Sequence, residues 1–379
     1  MIQSNNHCCW PHLSEIAIVS SKSGKFRKDP RASLLEIACE PCLSIFKESP
    51  HFRNRINCIL FSTTSNLQYG STILCEYLGI RSTVSQTIEN LCNSGTNAII
   101  SGYSFIKAGL CDTVLVVGAD RRDTDGKRLK WDITRGQFPF PVHWAALFAK
   151  AHMRKYHTTE EQMAMVAVKN REKAMKNPNA IFTSKITIHD VLESKKIVEP
   201  IKMLDCSYVC EGAAAVLMTN EENVKKFTDN PVWIKGIGIH AESASFARIG
   251  EDLCSMNSAK IAAKKAYEMA NVKPNEINIV ELHDAFTIME IMAYEDLSLT
   301  RKGEGGKFVF QDEISINPRG GLLGSGHPIG ATGVAQVAEV AEQLSGNAGK
   351  RQIKNCGHVG VVHNLAAAGS SAAVLVLKS

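Results

Sequence analysis

Hydrophobic and polar positions in this chain follow two different periods, and the change from one to the other predicts where strands and helices lie. Short runs rich in β-branched residues predict strands, and stretches in which apolar residues recur at every third or fourth position predict helices. The two kinds of segment alternate in the first part of the chain, which favours a mostly parallel sheet covered by helices. In order, they are residues 15–20 (strand), 33–46 (helix), 56–62 (strand), 72–78 (helix), 83–88 (strand), 97–110 (helix) and 113–118 (strand).

The alternation stops at residue 120 and resumes after residue 204. The intervening segment is charged and largely helical, as at 158–176, and we interpret it as an inserted loop domain that faces the substrate. The segments that follow are residues 213–218 and 232–239 (strands), 259–270 (helix), 277–282 (strand), 287–297 and 334–344 (helices), and 359–363 and 372–377 (strands).

The two halves share an order of elements, and each places a polar loop before its last long helix. This repetition indicates an internal duplication. We therefore expect an N-terminal half at residues 1–230, which includes the loop domain at about 120–204, and a C-terminal half at 231–379.

Composition narrows the class of protein. The chain has 379 residues, of which 44% are hydrophobic, and no apolar run approaches the roughly 20 residues that span a bilayer. Its start lacks the pattern of a leader, so we expect a cytoplasmic protein whose 12 cysteines are mostly free thiols. The net charge is a modest +5, and no zinc-finger, basic-zipper or ribonucleoprotein motif indicates nucleic-acid binding.

Two loops suggest thiolate chemistry. The glycine-rich loop at 321–333 carries His327; its glycines allow close approach of backbone to a ligand, and Pro328 fixes the backbone where the next helix begins. The loop at 89–95 places Cys92 before another predicted helix. A helix N-terminus favours negative charge, so we expect this position to lower the pKa of the thiol, with a nearby imidazole taking the proton.

Two further loops follow predicted strands and carry reactive residues. One is Leu-His-Asp-Ala-Phe at 282–286, with His283, and the other is Val-His-Asn-Leu at 362–365, with His363. In α/β sheets, sites assemble at the carboxyl ends of the strands. We therefore expect the four loops to converge on one site.

Together the four loops resemble the thiolase superfamily, most closely the branch of sterol-carrier-protein-type and archaeal-type acetoacetyl-CoA thiolases. The motif Gly-His-Pro-Ile-Gly-Ala-Thr-Gly at 326–333 is the most specific match, and Asn-Leu-Cys-Asn-Ser-Gly at 90–95 resembles the nucleophile motif. His-Asp-Ala-Phe at 283–286 resembles this branch's version of the Asn-Glu-Ala-Phe loop, and His363 with Asn364 fits the last loop. The resemblance covers nearly the whole chain.

The resemblance implies an α/β thiolase fold, with two βαβαβαββ halves in a five-layer αβαβα arrangement and the inserted loop domain over the active site. It implies acyl transfer between coenzyme A thioesters, here two acetyl-CoA interconverted with acetoacetyl-CoA and CoA, with no metal or redox cofactor. It also implies homodimers or homotetramers. The archaeal-type branch further implies a channelling complex with a 3-hydroxy-3-methylglutaryl-CoA synthase through a small OB-fold scaffold protein.

The same resemblance assigns roles to the loops. Cys92 carries the acyl group and His327 activates it, while His283 and His327 hold the oxygen of an enolate. Backbone N–H groups of Cys92 and of the small residues from Ala366 to Gly369 suit the oxyanion of the acyl-enzyme step.

The chain departs from the family pattern at one point. Most thiolases take the α-proton with a second cysteine, either in the last loop or at the third position of the His-Asp loop, and here position 285 is alanine. His363 is our preferred base, because an imidazole tuned near neutral pH can exchange such a proton. Cys356 is an alternative base. Alternatively, the enzyme transfers the acyl group from Cys92 to another acceptor, or it transfers a longer acyl group.

Residues for binding coenzyme A are predicted from charge and from the resemblance. Arg121, Arg122, Lys127 and Arg128 are candidates for its phosphates, with a solvated basic loop as the alternative. Ser258 is a candidate for its pantetheine arm, with a helix N-cap as the alternative. We expect no metal site, because no pair of cysteines or histidines has a partner pair at zinc spacing.

Overall fold

The computed structural model describes residues 14–28, 32–122, 138–245 and 252–379. Its strands are β1 (Ile16–Ser23), β2 (Cys58–Ser62), β3 (Val84–Ile88), β4 (Thr113–Asp120), β5 (Lys196–Val198), β6 (Ile201–Lys202), β7 (Gly212–Asn220), β8 (Val232–Ala241), β9 (Ile279–Glu281), β10 (Ser315–Ile316), β11 (Val359–Ala366) and β12 (Ser371–Lys378). Its helices are α1 (Leu34–Glu48), α2 (Gly70–Leu78), α3 (Ser94–Lys107), α4 (Pro141–Tyr156), α5 (Glu160–Ala174), α6 (Ile188–Leu192), α7 (Asn257–Ala270), α8 (Thr287–Asp296), α9 (Gly305–Phe308), α10 (Gly321–Ser325) and α11 (Thr332–Leu344).

Ten of the strands form a sheet that consists of two equivalent halves. Its order is β10-β9-β11-β12-β8-β1-β7-β4-β2-β3, and the halves meet at β1 and β8, which pair only through Ala17 with Trp233 and Ile18 with Val232. Outward from this junction, each half has two antiparallel pairings followed by two parallel ones. The predicted α/β fold with two βαβαβαββ halves is therefore confirmed.

Alternation of side chains along the strands builds the layers. On β2, Ile59 and Phe61 pack with α1, whereas Cys58 and Leu60 face the opposite cluster that contains residues of α3 and α11. The C-terminal half repeats this, since Val362 of β11 joins the same central cluster. Residues of β11 and β12 whose side chains point to the opposite face pack with α7 and α8. Helices α3 and α11 thus form the middle layer, as the five-layer prediction requires.

The two central helices touch backbone to backbone where they begin. A Cβ on Gly95 would lie 2.6 Å from the amide nitrogen of Val334, and one on Gly333 would lie 2.5 Å from that of Thr96. Real side chains do not approach so closely, so both positions require glycine. This contact brings the turn before α3, which carries Cys92, beside the loop before α11, which carries His327.

The loop domain is more structured than the sequence indicated. Its helix α5 begins after Thr159, whose hydroxyl accepts a hydrogen bond from the Gln162 amide in a capping box. The preceding helix α4 and the short hairpin of β5 and β6 were not predicted individually, and neither was the two-residue strand β10. Within the described ranges, no helix is both long and apolar enough to cross a membrane.

Candidate active site

Cys92 lies in a tight turn between β3 and α3. The turn is a 3-10 segment, Leu91–Asn93, and Leu91 adopts the left-handed conformation with φ of +50°, which a leucine rarely takes. The hydroxyl of Ser94 closes the turn by accepting from the Asn90 amide at 2.7 Å and donating to the Leu91 carbonyl at 2.6 Å. This strained turn holds the half-buried Cys92 thiol against the other half of the molecule.

The loop of His327 is fixed by its backbone. The His327 amide donates to the Tyr208 carbonyl at 2.9 Å, and its carbonyl accepts from the Cys210 amide at 3.4 Å. Gly326 before it has φ of +104°, and a Cβ there would lie 2.7 Å from the Cys210 sulfur. These contacts hold the His327 backbone against the segment that leads into β7.

Asp120, at the end of β4, ties this loop to the N-terminal half. Its fully buried carboxylate accepts hydrogen bonds from Thr63, Thr64 and Ser65 and also from the Gly330 amide. A Cβ on Gly330 would lie 2.6 Å from the Thr63 Cα, so glycine is needed for this approach. The sequence motifs gave no signal for this role of Asp120.

The hydrogen bonds of His327 determine its tautomer. Its Nδ1 lies 2.7 Å from the Thr332 hydroxyl, and that hydroxyl uses its own proton to donate to the Pro328 carbonyl at 3.0 Å. The hydroxyl can therefore only accept from the ring, so Nδ1 carries the proton. The other nitrogen, Nε2, retains its lone pair and can accept a proton.

His283 completes the group. One donor atom from each of Cys92, His283 and His327 lies within 4.8 Å of the others, and the two imidazole rings stand nearly perpendicular with centroids 5.3 Å apart. Cysteine and histidine are also ligands that zinc accepts. In the described residues, no fourth cysteine, histidine or carboxylate joins them.

Burial keeps these groups neutral. It raises the pKa of Cys92 to about 12, with a further increase from the charge of Asp120, and it lowers the pKa of His327 to about 3. The expected lowering of the thiol pKa is therefore wrong, because desolvation of the thiolate outweighs the backbone hydrogen bond that lowers the pKa. The site therefore holds a neutral thiol beside a neutral imidazole.

A cavity of about 570 Å³ opens over these three residues. Its wall is mostly apolar and comes largely from the loop domain. The polar side chains that line it are Cys92, His143, Cys206, Ser207, His283 and His327. The apolar ones include Phe140, Val142, Trp144, Ile197, Val198, Met203 and Phe286.

Family comparisons agree with this arrangement of loops. A model described as the thiolase N-terminal domain matches residues 14–222, and one described as thiolase C-terminal domain-like matches residues 240–379. The chain belongs to the thiolase family. This confirms both the resemblance drawn from the four loops and the class of enzyme, an acyltransferase.

Several thiolase relatives cover most of the chain. An acetyl-CoA acetyltransferase of Methanothermobacter thermautotrophicus is 37% identical over 80% of this chain and 82% of its own. The benzoylsuccinyl-CoA thiolase subunit BbsB of Thauera aromatica is 32% identical over 79% and 81%. Rabbit (Oryctolagus cuniculus) sterol carrier protein 2 is 30% identical over 81% of this chain but only 60% of its own.

A solved structure described as an Ltp2-ChsH2(DUF35) aldolase supports the fold. It superposes with a TM-score of 0.82 over 96% of this chain and 98% of its own, at 21% identity. At that identity the likeness shows the thiolase fold alone.

His363 is not brought to the cavity of this thiolase. Neighbouring residues of a strand face opposite sides, so His363 shares the face of Val361 and Leu365, away from that of Asn364. Its ring is fully buried, neither nitrogen has a hydrogen-bond partner among the described residues, and burial lowers its pKa to about 3. The structure therefore does not place His363 where it could take a proton from a bound acyl group.

The last loop also differs from its predicted role. The Gly369 amide donates to the Ala366 carbonyl at 3.1 Å, so it closes the turn and is not directed at a ligand. Ala367, with φ of +51°, is the residue of this loop that lines the cavity. Ser258 is neither a cap nor a cavity residue: Met256 is the N-cap of α7, and the buried Ser258 hydroxyl donates to the Gly369 carbonyl at 2.5 Å.

The predicted coenzyme A phosphate site is described only in part. Lys127 and Arg128 lie outside the described residues. Arg122 donates to the Lys28 carbonyl at 3.0 Å and its guanidinium lies over the Tyr208 ring, 5.0 Å from the centroid. The role of Arg121 and Arg122 in phosphate binding stays a prediction.

Cys206 lines the cavity, although no sequence motif marked it as a site residue. Its backbone pairs with that of Phe286, and the Ser207 amide donates to the Ala285 carbonyl at 2.9 Å. Ser207 therefore lies across from Ala285, the alanine that replaces the second cysteine of some thiolases, and Cys206 lines the same cavity one residue away. Its thiol donates to the Lys202 carbonyl at 3.3 Å, and burial raises its pKa to about 12. Because Cys206 and Phe286 are far apart in the sequence, no local pattern indicated that their segments pair.

The raised pKa of Cys92 predicts how the resting thiol reacts. Because the neutral form persists through neutral pH, the rate of Cys92 alkylation by iodoacetamide should keep rising with pH beyond pH 9. Mass spectrometry after each pulse assigns the adduct to Cys92, and Cys356, whose thiol is also half-buried, serves as the internal control. A plateau in the Cys92 rate below pH 7 would indicate a stable thiolate–imidazolium pair and contradict the assignment.

Proposed function

We propose that this thiolase interconverts two acetyl-CoA with acetoacetyl-CoA and CoA through an acyl-enzyme on Cys92. The observation that carries the proposal is the neutral Cys92 thiol beside His327, whose Nε2 lone pair is kept free by the hydrogen bond of Nδ1 to Thr332. The acetyl-CoA acetyltransferase relative supports the choice of acetyl-CoA. The substrate is the coenzyme A thioester itself, and the site's own thiol and imidazoles suffice for the reaction.

In the first step, Cys92 attacks the thioester carbonyl as its proton passes to His327 Nε2. The bond between the carbonyl carbon and the sulfur of coenzyme A then breaks, and the departing thiolate takes a proton to leave as CoA. In the second step, the enolate of another acetyl-CoA attacks the Cys92 thioester, a carbon–carbon bond forms, and the Cys92 sulfur recovers its proton from His327.

Cys206 is our proposed carrier of the remaining proton, in place of His363. It lines the same cavity as Cys92 and Ala285, whereas His363 lies on the other face of its strand and does not line it. Its thiol would protonate the first departing CoA and, as a thiolate, then take the α-proton of the second acetyl-CoA. The protons balance over the cycle, because each thiol ends as it began.

A second candidate is transfer of an apolar acyl group larger than acetyl. The apolar wall formed by Val142, Trp144, Val198 and Phe286 favours it, since each buried methylene adds about 0.8 kcal/mol of binding. The BbsB relative is named for a benzoylsuccinyl thioester, a bulky acyl group. The chemistry at Cys92 is the same for both candidates.

Partners belong to the proposal as well. We propose a homodimer or homotetramer in the cytoplasm, with a small OB-fold scaffold protein and a 3-hydroxy-3-methylglutaryl-CoA synthase as assembly partners. The structural relative described with a ChsH2(DUF35) component and the relative named as a subunit are consistent with assembly. If the protein acted only as a structural subunit of such a complex, Cys92 would need no catalytic role.

Replacing Cys92 tests the acyl-enzyme. CoA-dependent cleavage of acetoacetyl-CoA should fall by about 10³-fold or more in Cys92→Ala, because the nucleophile is lost. Cys356→Ala is the matched control, since its thiol is also half-buried but lies before β11, and it should keep wild-type activity. Wild-type protein without activity on any acyl-CoA, or pathway flux that survives Cys92→Ala, would support the assembling role instead.

The α-proton carrier is tested by exchange of the acetyl-CoA methyl protons with deuterated water. Cys206→Ala should slow this exchange by about 10²-fold or more, the usual contribution of a general base, and should slow Cys92 acetylation much less, because coenzyme A can also leave as the thiolate. His363→Gln should exchange normally. Normal exchange in Cys206→Ala with loss in His363→Gln would reverse the assignment.

Acyl-chain preference separates the two candidate substrates. If the apolar wall binds the acyl group, kcat/KM should rise from acetyl-CoA to hexanoyl-CoA, and Val142→Phe should remove that gain while sparing acetyl-CoA. Leu147→Phe, on the exposed face of the same helix, is the matched control. A preference for acetyl-CoA that Val142→Phe does not alter would eliminate the larger substrate.

A further inference from the structure

A chain of buried amides runs from α11 to His283. It begins at Gln336, which is fully buried and whose Nε2 donates to the Leu282 carbonyl at 2.9 Å and to the His363 carbonyl at 3.4 Å. Carbonyl oxygens can only accept, so the amide nitrogen of Gln336 must face them. Its oxygen, Oε1, must therefore point the other way, toward Asn364.

The orientation of Gln336 fixes that of Asn364. The Asn364 Nδ2 donates to Gln336 Oε1 at 2.6 Å, and the same nitrogen lies 3.3 Å from His283 Nδ1. An amide nitrogen only donates, so His283 Nδ1 is an acceptor and the ring proton is on Nε2. The Asn364 oxygen is buried and has no hydrogen-bond partner among the described residues. This orientation therefore satisfies the hydrogen bonds of Gln336 and of His283 Nδ1 but leaves that oxygen unpaired.

The two histidines of the site are thus held in opposite tautomers. His327 has its proton on Nδ1 and a free lone pair on Nε2, whereas His283 has its proton on Nε2. One imidazole is set to accept a proton from Cys92, and the other is set to donate a hydrogen bond to an oxygen. A protonated Nε2 also cannot ligate a metal ion, which separates this arrangement from a zinc site.

We propose that Gln336 and Asn364 are positioning residues that hold His283 as a neutral Nε2–H donor for the enolate oxygen in the condensation step. The role as enolate donor rests on the proposed function, but the tautomer of His283 does not. Gln336 acts without touching a substrate: it reaches the His283 ring only through Asn364, and its other hydrogen bonds go to the backbone carbonyls of Leu282 and His363. Acyl transfer to Cys92 relies on His327 and does not need this chain.

The test is Gln336→Met, which keeps the shape of the side chain and removes its polar atoms. The Asn364 amide is then free to turn its unpartnered oxygen toward His283, which should move the ring proton to Nδ1. Nitrogen-15 spectra of the histidine side chains, with His283 assigned by its loss in His283→Gln, should show a protonated Nε2 in the wild type and a shift toward protonated Nδ1 in the variant. Condensation should fall roughly tenfold to 10²-fold, and Cys92 acetylation should stay within about threefold.

Two further variants keep the outcome decisive. Gln343→Met removes an equally buried amide from the same helix, one that contacts Glu339 and Arg351 instead, and should change neither the spectrum nor condensation. Asn364→Val removes the donor itself and serves if Gln336→Met fails to fold. A wild-type His283 protonated on Nδ1, or Gln336→Met with an unchanged spectrum and condensation rate, would overturn the proposal. Protonated Nε2 in an enzyme without thiolase activity would refute the proposed function alone.

Discussion

The contact between Gly95 and Gly333 is the constraint on which the site depends. It lets the first turns of α3 and α11 meet backbone to backbone between the two halves of the molecule. Because the turn of Cys92 precedes one helix and the loop of His327 precedes the other, this single approach sets the distance between the Cys92 thiol and the His327 imidazole. A methyl group at either glycine would push the two helices, and with them the two halves, apart, even if each loop kept its own conformation.

The close approach of the halves also decides the chemistry, because it buries the reacting groups. A solvent-exposed cysteine at a helix N-terminus would ionise more readily, but here desolvation raises the pKa of Cys92 and lowers that of His327. Neither group is charged at rest, so charge appears only as the thioester is attacked. Hydrogen bonds that fix the tautomers therefore matter more than an ion pair would, since they determine which nitrogen can receive the proton.

Much of this could be predicted from the sequence, and the exceptions have a common cause. The strands and helices that the hydrophobic pattern predicted are present, and motifs that carry their own glycines, such as the loop of His327, led to the site directly. What the sequence missed depends on partners distant in the chain. The burial that raises the Cys92 pKa, the pairing of Cys206 with Phe286 and the face of β11 on which His363 lies follow from packing and register, which no local pattern contains.

The origin of each group suggests how the two chemical steps are divided. Cys92 and Asp120 come from the N-terminal half, and His283 and His327 come from the C-terminal half, so acyl loading depends on the junction between the halves. Most of the apolar wall comes from the loop domain, and Cys206 comes from the segment that follows it; in the proposed mechanism these groups contact the acyl group and its acceptor. In the proposed mechanism the two halves thus supply the geometry for acyl loading, whereas changes in the loop domain can alter the acyl group and the acceptor without moving Cys92. The alanine at position 285 fits this division, since Cys206, which lines the same cavity, comes from the segment that follows the loop domain.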